Sequence, residues 1–165
     1  MKPRFFADTR DLFKYDLVRH LMEGLPGLRH FLFVPMLTAD DGKEGGYHDL
    51  SKARAGYLNR DLVAFLEGCN GRGERDVSRI RAYFGGHGID TSVVADRFTR
   101  KGRTGYFGGV VGKIRPSSLV LLDPDDGLEV GYPDEKHLLF PELSSVLAAI
   151  DDVSPRHGLP LLPEG

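Results

Sequence analysis

Three short apolar runs constrain the fold of this chain more than any other feature: HFLFVPML at 30–37, TSVVADRF at 91–98 and SLVLLD at 118–123. Each is short and rich in β-branched or aromatic residues, and each runs into polar or turn-forming residues, as buried strands do. Pro35 lies near the end of the first run and marks the strand's limit, since proline cannot donate to a ladder. Between and around the runs lie helical segments. Residues 9–23 follow the capping residue Asp8, with Phe13, Leu17 and Leu21 at i, i+4 and i+8, flanked by Val18 and Met22. Residues 59–67 follow Asn59, and 76–84 begin at Asp76. Residues 106–114 read as a glycine-weakened helix, and 137–153 as a helix with Pro141 in its first turn. Strands alternating with helices predict an α/β fold, a single Rossmann-like three-layer domain with a mostly parallel sheet. It spans residues 1–153, is shortened at its C-terminal side, and is followed by an irregular Pro-rich tail at 154–165.

The length of 165 residues suits one domain. A net charge of −2 gives no global pull toward nucleic acid or acidic lipid, so either role has to rest on a local patch. The single cysteine, Cys69, allows no internal disulfide and no multi-cysteine zinc site. The opening MKPRFFADTRD is charged, and every apolar run falls short of the roughly 20 residues of a membrane span. A cytoplasmic protein without a membrane partner is expected.

The strand SLVLLD runs into Pro124, Asp125, Asp126, Gly127 and, after Leu128, Glu129. In open α/β sheets, ligands bind beyond the carboxyl ends of the strands, where Asp123 lies. Pro-Asp-Asp-Gly is also good turn chemistry, with Pro fixing φ and Gly accepting a positive φ. A calcium-binding EF-hand loop is excluded, because Pro124 and the adjacent Asp125 and Asp126 break its alternating acidic rhythm. The stretch is similar to the nucleophile motif of haloacid-dehalogenase-type phosphatases. That motif opens its domain, and here about forty residues follow it.

Two patches carry a closer resemblance. DTRDLFKYDLVRHLM resembles the N-terminal A-D-V-L-K-H helix of bacterial rRNA adenine-N6 methyltransferases of the Asp-Pro-Pro-Tyr type. Asp11 stands at its Asp, Lys14 at its Lys, and Tyr15 where that family has His. LVLLDPDD is similar to the family's L-I-D-P-P-Y strand end, with Asp123 and Pro124 at the first two motif positions and Asp125 and Asp126 in place of Pro and Tyr. The chain resembles still more closely a set of uncharacterised methyltransferase-like bacterial proteins with a D-P-D-[ND]-G-L-E stretch. The resemblance implies S-adenosylmethionine as cofactor, with Asp11, Asp40, Asp41 and Gly42 as candidate contacts. It also implies a nucleic-acid substrate and catalytic roles for Asp123, Asp125 and Lys14. Gly42, Gly45 and Gly46 do not reproduce the family's cofactor-loop spacing. The aromatic residue that would stack a target base is absent.

The loop at 38–57 contributes Asp40, Asp41, Glu44, His48 and Asp49. If its strand neighbours 118–123, Asp40 or Asp41 can face Asp123. A divalent ion, Mg²⁺ or Mn²⁺, held by Asp123, Asp125 and Asp126 then suits phosphodiester cleavage. Lys14 or Lys43 is the accompanying base. Between Asp96 and Asp123 no acid occurs, while Arg97, Arg100, Lys101, Arg103, Lys113 and Arg115 supply positive charge among Phe98, Tyr106 and Phe107. Such density fits phosphate contact with DNA or RNA, and Arg97, Arg100, Lys101 and Arg103 are its candidate contacts. A solvated basic face is the plain alternative. Three readings remain open from the sequence: a methyltransferase, a metal-dependent nuclease, and a non-catalytic binding module.

Overall fold

The computed structural model describes residues 1–40 and 46–153. Helix α1 (Thr9–Gly24) begins at Asp8, whose carboxylate accepts hydrogen bonds from the backbone N–H groups of Arg10 and Asp11. Strand β1 (His30–Val34) follows, then helices α2 (Arg60–Gly71) and α3 (Ile80–Gly86). Asn59 caps α2 through the Leu62 N–H, and Asp76 caps the 3₁₀ turn at Val77–Arg79 that leads into α3. Strand β2 (Asp90–Val93), helix α4 (Arg103–Val111) and strand β3 (Ser118–Leu122) come next. A two-residue pairing of β4 (Gly127–Leu128) with β5 (His137–Leu138) precedes helix α5 (Phe140–Val153).

The main sheet has the order β2-β1-β3, and both pairings are parallel. Val34 lies opposite Leu122, and Phe33 opposite Val93, so all three strands end at one edge. All five residues of the central strand β1 are buried. Its side chains alternate between two cores, as a pleated strand requires. Phe31 and Phe33 join Leu12, Tyr15, Leu62, Leu66 and Phe84 from α1, α2 and α3. Leu32 and Val34 join Phe107, Val110 and Val146 from α4 and α5. The sheet is therefore apolar on both faces, which is why its strands read as continuous apolar runs. At the opposite edge, the His30 ring lies between Ser118 Oγ, 2.8 Å from Nδ1, and Ser92 Oγ, 3.0 Å from Nε2.

Several expected boundaries shift. β1 ends at Val34, before Pro35, and Leu37 keeps only an isolated bridge to Arg97. β2 ends at Val93, because the chain bends at Asp96. α4 starts at Arg103 and ends at Val111, and residues 137–138 form a strand, not a first helical turn. The apolar face expected of α1 is also corrected. Phe13 and Leu17 are 50% and 47% exposed, while Leu12, Tyr15 and Val18 are buried with Asp11 among them. The buried stripe is offset from the most obvious one, because Asp11 and Tyr15 satisfy each other's polar atoms inside the core. No helix among the described residues is long and apolar enough to cross a membrane.

Candidate functional site

The carboxyl ends of β1 and β3 form a crevice, and α1 passes over it. β1 runs on through α2 and α3 to β2 at one side, whereas β3 lies at the other side of β1. Such a reversal of strand order is where open α/β sheets bind ligands. Lys14 reaches down from α1, and its Nζ lies 2.7 Å from Asp123 Oδ2 and 2.9 Å from Asp11 Oδ1. Asp11 also accepts the backbone N–H of Ala7 at 3.0 Å and a long hydrogen bond from the Tyr15 hydroxyl at 3.4 Å.

Burial pushes the Asp11 carboxyl up to about 6, against the pull of the Lys14 ammonium. Burial also works against the Lys14 charge. Asp11 and Asp123 together outweigh it and hold the ammonium above the ordinary lysine range. The Tyr15 phenol is raised by its burial and by the Asp11 and Asp123 carboxylates. The centre therefore holds a cation between two acids, one of them with its carboxyl raised by burial. Together with Asp8, Arg10 and Pro124 it lines a cleft of about 160 Å³.

Asp125 turns to a different set of partners. The Met1 ammonium lies 3.1 Å from its Oδ1, and Thr38 Oγ1 donates to its Oδ2 at 2.6 Å. The same ammonium donates to the carbonyls of Met36 at 3.1 Å and Asp123 at 3.3 Å. Burial lowers its pKa, opposed by the charges of Asp125 and Asp123. Asp126 points elsewhere again: its carboxylate is 4.0 Å from Lys136 Nζ and clusters with Asp134 and His137, whose ligand atoms all lie within 4.8 Å. Asp123, Asp125 and Asp126 thus do not form the shared carboxylate set that the metal reading expects. Pro124 and the positive φ of Gly127, 89°, turn the chain so that successive side chains diverge.

The remaining candidates separate in the same way. Asp40 pairs with Arg4. Asp41 and Gly42 lie outside the described residues. Arg103 is not available for a phosphate, which corrects the expected basic contact surface. Its guanidinium makes a bidentate pair with Glu142 at 2.6 and 2.7 Å and donates to the His137 carbonyl at 2.8 Å, tying α4 to α5. Arg115 pairs with Asp90 at 2.7 Å. Arg97 and Arg100 remain exposed at the carboxyl edge, as does Lys101. Lys2 and Lys136 come to the same edge from distant parts of the chain. No motif around Lys2, Thr38 or Lys136 foretells this meeting. Cys69 is buried in the core, and burial raises its thiol further.

No family model, no curated protein and no solved structure matches this chain.

Proposed function

We propose that this chain is a nucleic-acid-directed enzyme on a Rossmann-like, three-layer, methyltransferase-like fold, with its reaction centre in the crevice between β1 and β3. The observation that carries the reading is the Lys14–Asp123 ion pair of 2.7 Å at the carboxyl end of β3. It joins the two patches that resemble the rRNA adenine-N6 methyltransferases, the α1 helix and the Asp-Pro strand end, into one site. Asp123 there offers an acceptor to an exocyclic amine of a base, and the Lys14 ammonium 2.7 Å away orients that carboxylate. Asp11, buried beneath, fixes the lysine's position.

S-adenosylmethionine supplies an electrophilic methyl group when bound. The described residues do not make a complete site for it. The cleft at Asp123, about 160 Å³, is smaller than the roughly 300 Å³ at which cofactor-sized pockets begin. The larger pocket beside it is cationic and opposes a sulfonium. Methyl transfer thus rests on the resemblance, while the geometry supports the acceptor side. Mg²⁺- or Mn²⁺-dependent cleavage gains less support, because the three expected carboxylate ligands diverge.

The test is methyl transfer from labelled S-adenosylmethionine to RNA and DNA oligonucleotides, beside calorimetry with the cofactor. Transfer is expected with the wild-type chain and about a hundredfold less with Asp123→Asn, the loss typical of removing one polar group at a reacting centre. No cofactor binding and no transfer to either nucleic acid overturns methyl transfer. Metal-dependent shortening of the oligonucleotides replaces it with the nuclease reading.

A further inference from the structure

A concave surface of about 500 Å³ opens at the carboxyl edge of the sheet, between the segments that follow β1 and β2. Four cationic side chains line it: Lys2 from the N-terminal segment, Arg97 and Arg100 from the chain after β2, and Lys136 from the β4–β5 connection. Among the described residues, the one acid in its lining is Glu135. Buried Phe98 lies beneath, with Thr38, Ala39 and Thr99 completing the wall. The volume falls within the roughly 300–1,000 Å³ of small-molecule sites.

The charge is placed by the fold and is not a consequence of composition. The chain as a whole carries −2, and the four cations come from three segments separated by more than thirty residues in sequence. Among the described residues, the acids nearest this pocket are engaged elsewhere or stand at its margin. Asp125 is taken by Met1 and Thr38, and Asp126 approaches Lys136 only at 4.0 Å. Arg97 and Arg100 make no ion pair with any described residue. Each therefore presents a planar fork of donors to solvent, the geometry that matches a phosphate's oxygens bidentately. Thr38 joins this pocket to the Asp123 crevice through its bond to Asp125.

We infer that this pocket is a phosphate-binding site, in which Arg97 and Arg100 clamp a phosphate group of a nucleotide or nucleic-acid strand while Lys136 adds to its charge neutralisation. The inference rests on the nucleic-acid reading for the source of the phosphate, but its geometry stands apart from the Asp123 centre. It differs from a general basic face in excluding Arg103 and in recruiting Lys136 from the β4–β5 connection.

The full chain is titrated with short single strands of RNA and DNA, each carrying either a 5′-phosphate or a 5′-hydroxyl, and with adenosine monophosphate and inorganic phosphate. Binding that weakens with salt is expected. Arg97→Ala and Arg100→Ala should each weaken it about tenfold and the double variant about a hundredfold, with Lys113→Ala unchanged. A gain from the 5′-phosphate, matched by adenosine monophosphate, marks a terminal phosphate as the ligand. Equal binding of both strands, without binding of the monophosphate, marks an internal phosphodiester. Unaltered affinity in the double variant, or no binding of any phosphate compound, overturns the site. Asp123→Asn separates the two ideas: it should lower methyl transfer about a hundredfold and leave phosphate binding intact. Phosphate binding without transfer removes the enzyme reading alone, and transfer untouched by the double variant removes the pocket alone.

Discussion

Lys14 and Asp123 stand 109 positions apart in the chain, and their charged atoms lie 2.7 Å apart. The contact ties the first helix to the last strand of the main sheet. It also leaves Asp11 dependent on the same ammonium at 2.9 Å. Removing one member of such a partly buried set strands the others, Asp11 above all, which costs more than the set contributes while intact. Lys14→Met should therefore destabilise the chain by about 3 kcal/mol. Chemical denaturation with the double variant Lys14→Met/Asp11→Asn checks this. The second change should restore part of the loss, and strict additivity of the two would show that the residues are not coupled.

Asp11 should leave its mark on the pH dependence of stability. Its carboxyl is raised to about 6 in the folded chain, above the ordinary 3.8. The folded state therefore holds the proton more tightly than the unfolded state between these values. Stability from this group is fully present below the ordinary value and is lost as pH rises toward 6. His30 works in the opposite sense, because burial lowers its pKa and stability is lost as pH falls below its ordinary 6.5. Melting curves of wild type and Asp11→Asn, compared from pH 3.5 to 7, isolate the first contribution. The wild type should lose stability relative to the variant as pH rises, by on the order of 3 kcal/mol over the window. Parallel curves would place the Asp11 titration outside it.

Arg103 and Glu142 should prove to be a structural pair. Their bidentate contact joins α4 to α5, and the side chains are 14% and 12% exposed. Arg103→Ala leaves Glu142 partly buried without its cation and should cost about 2–3 kcal/mol. It should leave the salt dependence of any nucleic-acid binding unchanged. A reduced salt slope at unchanged stability would return Arg103 to the contact surface.

The offset of the buried stripe on α1 gives a direct comparison. Leu12 is fully buried and Phe13 is half exposed. Leu12→Ala should cost about 2–5 kcal/mol, whereas Phe13→Ala should stay within about 1 kcal/mol. Urea midpoints of the two variants decide it, and equal losses would put Phe13 in the core.

The elements were legible in the sequence where the signal is local. Asp8 and Asn59 announce their helices because capping needs only a side chain and the next few amides. The run HFLFV announces a strand buried on both sides because its five residues are all apolar or ring-bearing. Two short patches of sequence singled out Asp11, Lys14 and Asp123, which the fold brings into contact. The rest depends on contacts between distant segments. Nothing near Arg103 foretells Glu142, and nothing in Asp-Pro-Asp-Asp says that its carboxylates will face three ways. The offset of α1 was hidden because an Asp and a Tyr that bond each other can occupy a core face that apolar periodicity alone assigns to Phe and Leu.

The ring of His30, held between the hydroxyls of Ser118 and Ser92, has a consequence for how rigid this small sheet is. A hydroxyl can donate or accept, so either tautomer of the neutral imidazole finds two partners. The three strands are thereby laced together at their starting ends by a rung that tolerates proton rearrangement but not sliding. A slip of one residue would carry the ring to the other face and unlace both neighbours at once. With alignment fixed at that margin, every residue along the three strands is held to its partner across the sheet, and the carboxyl ends that carry Asp123 inherit that register.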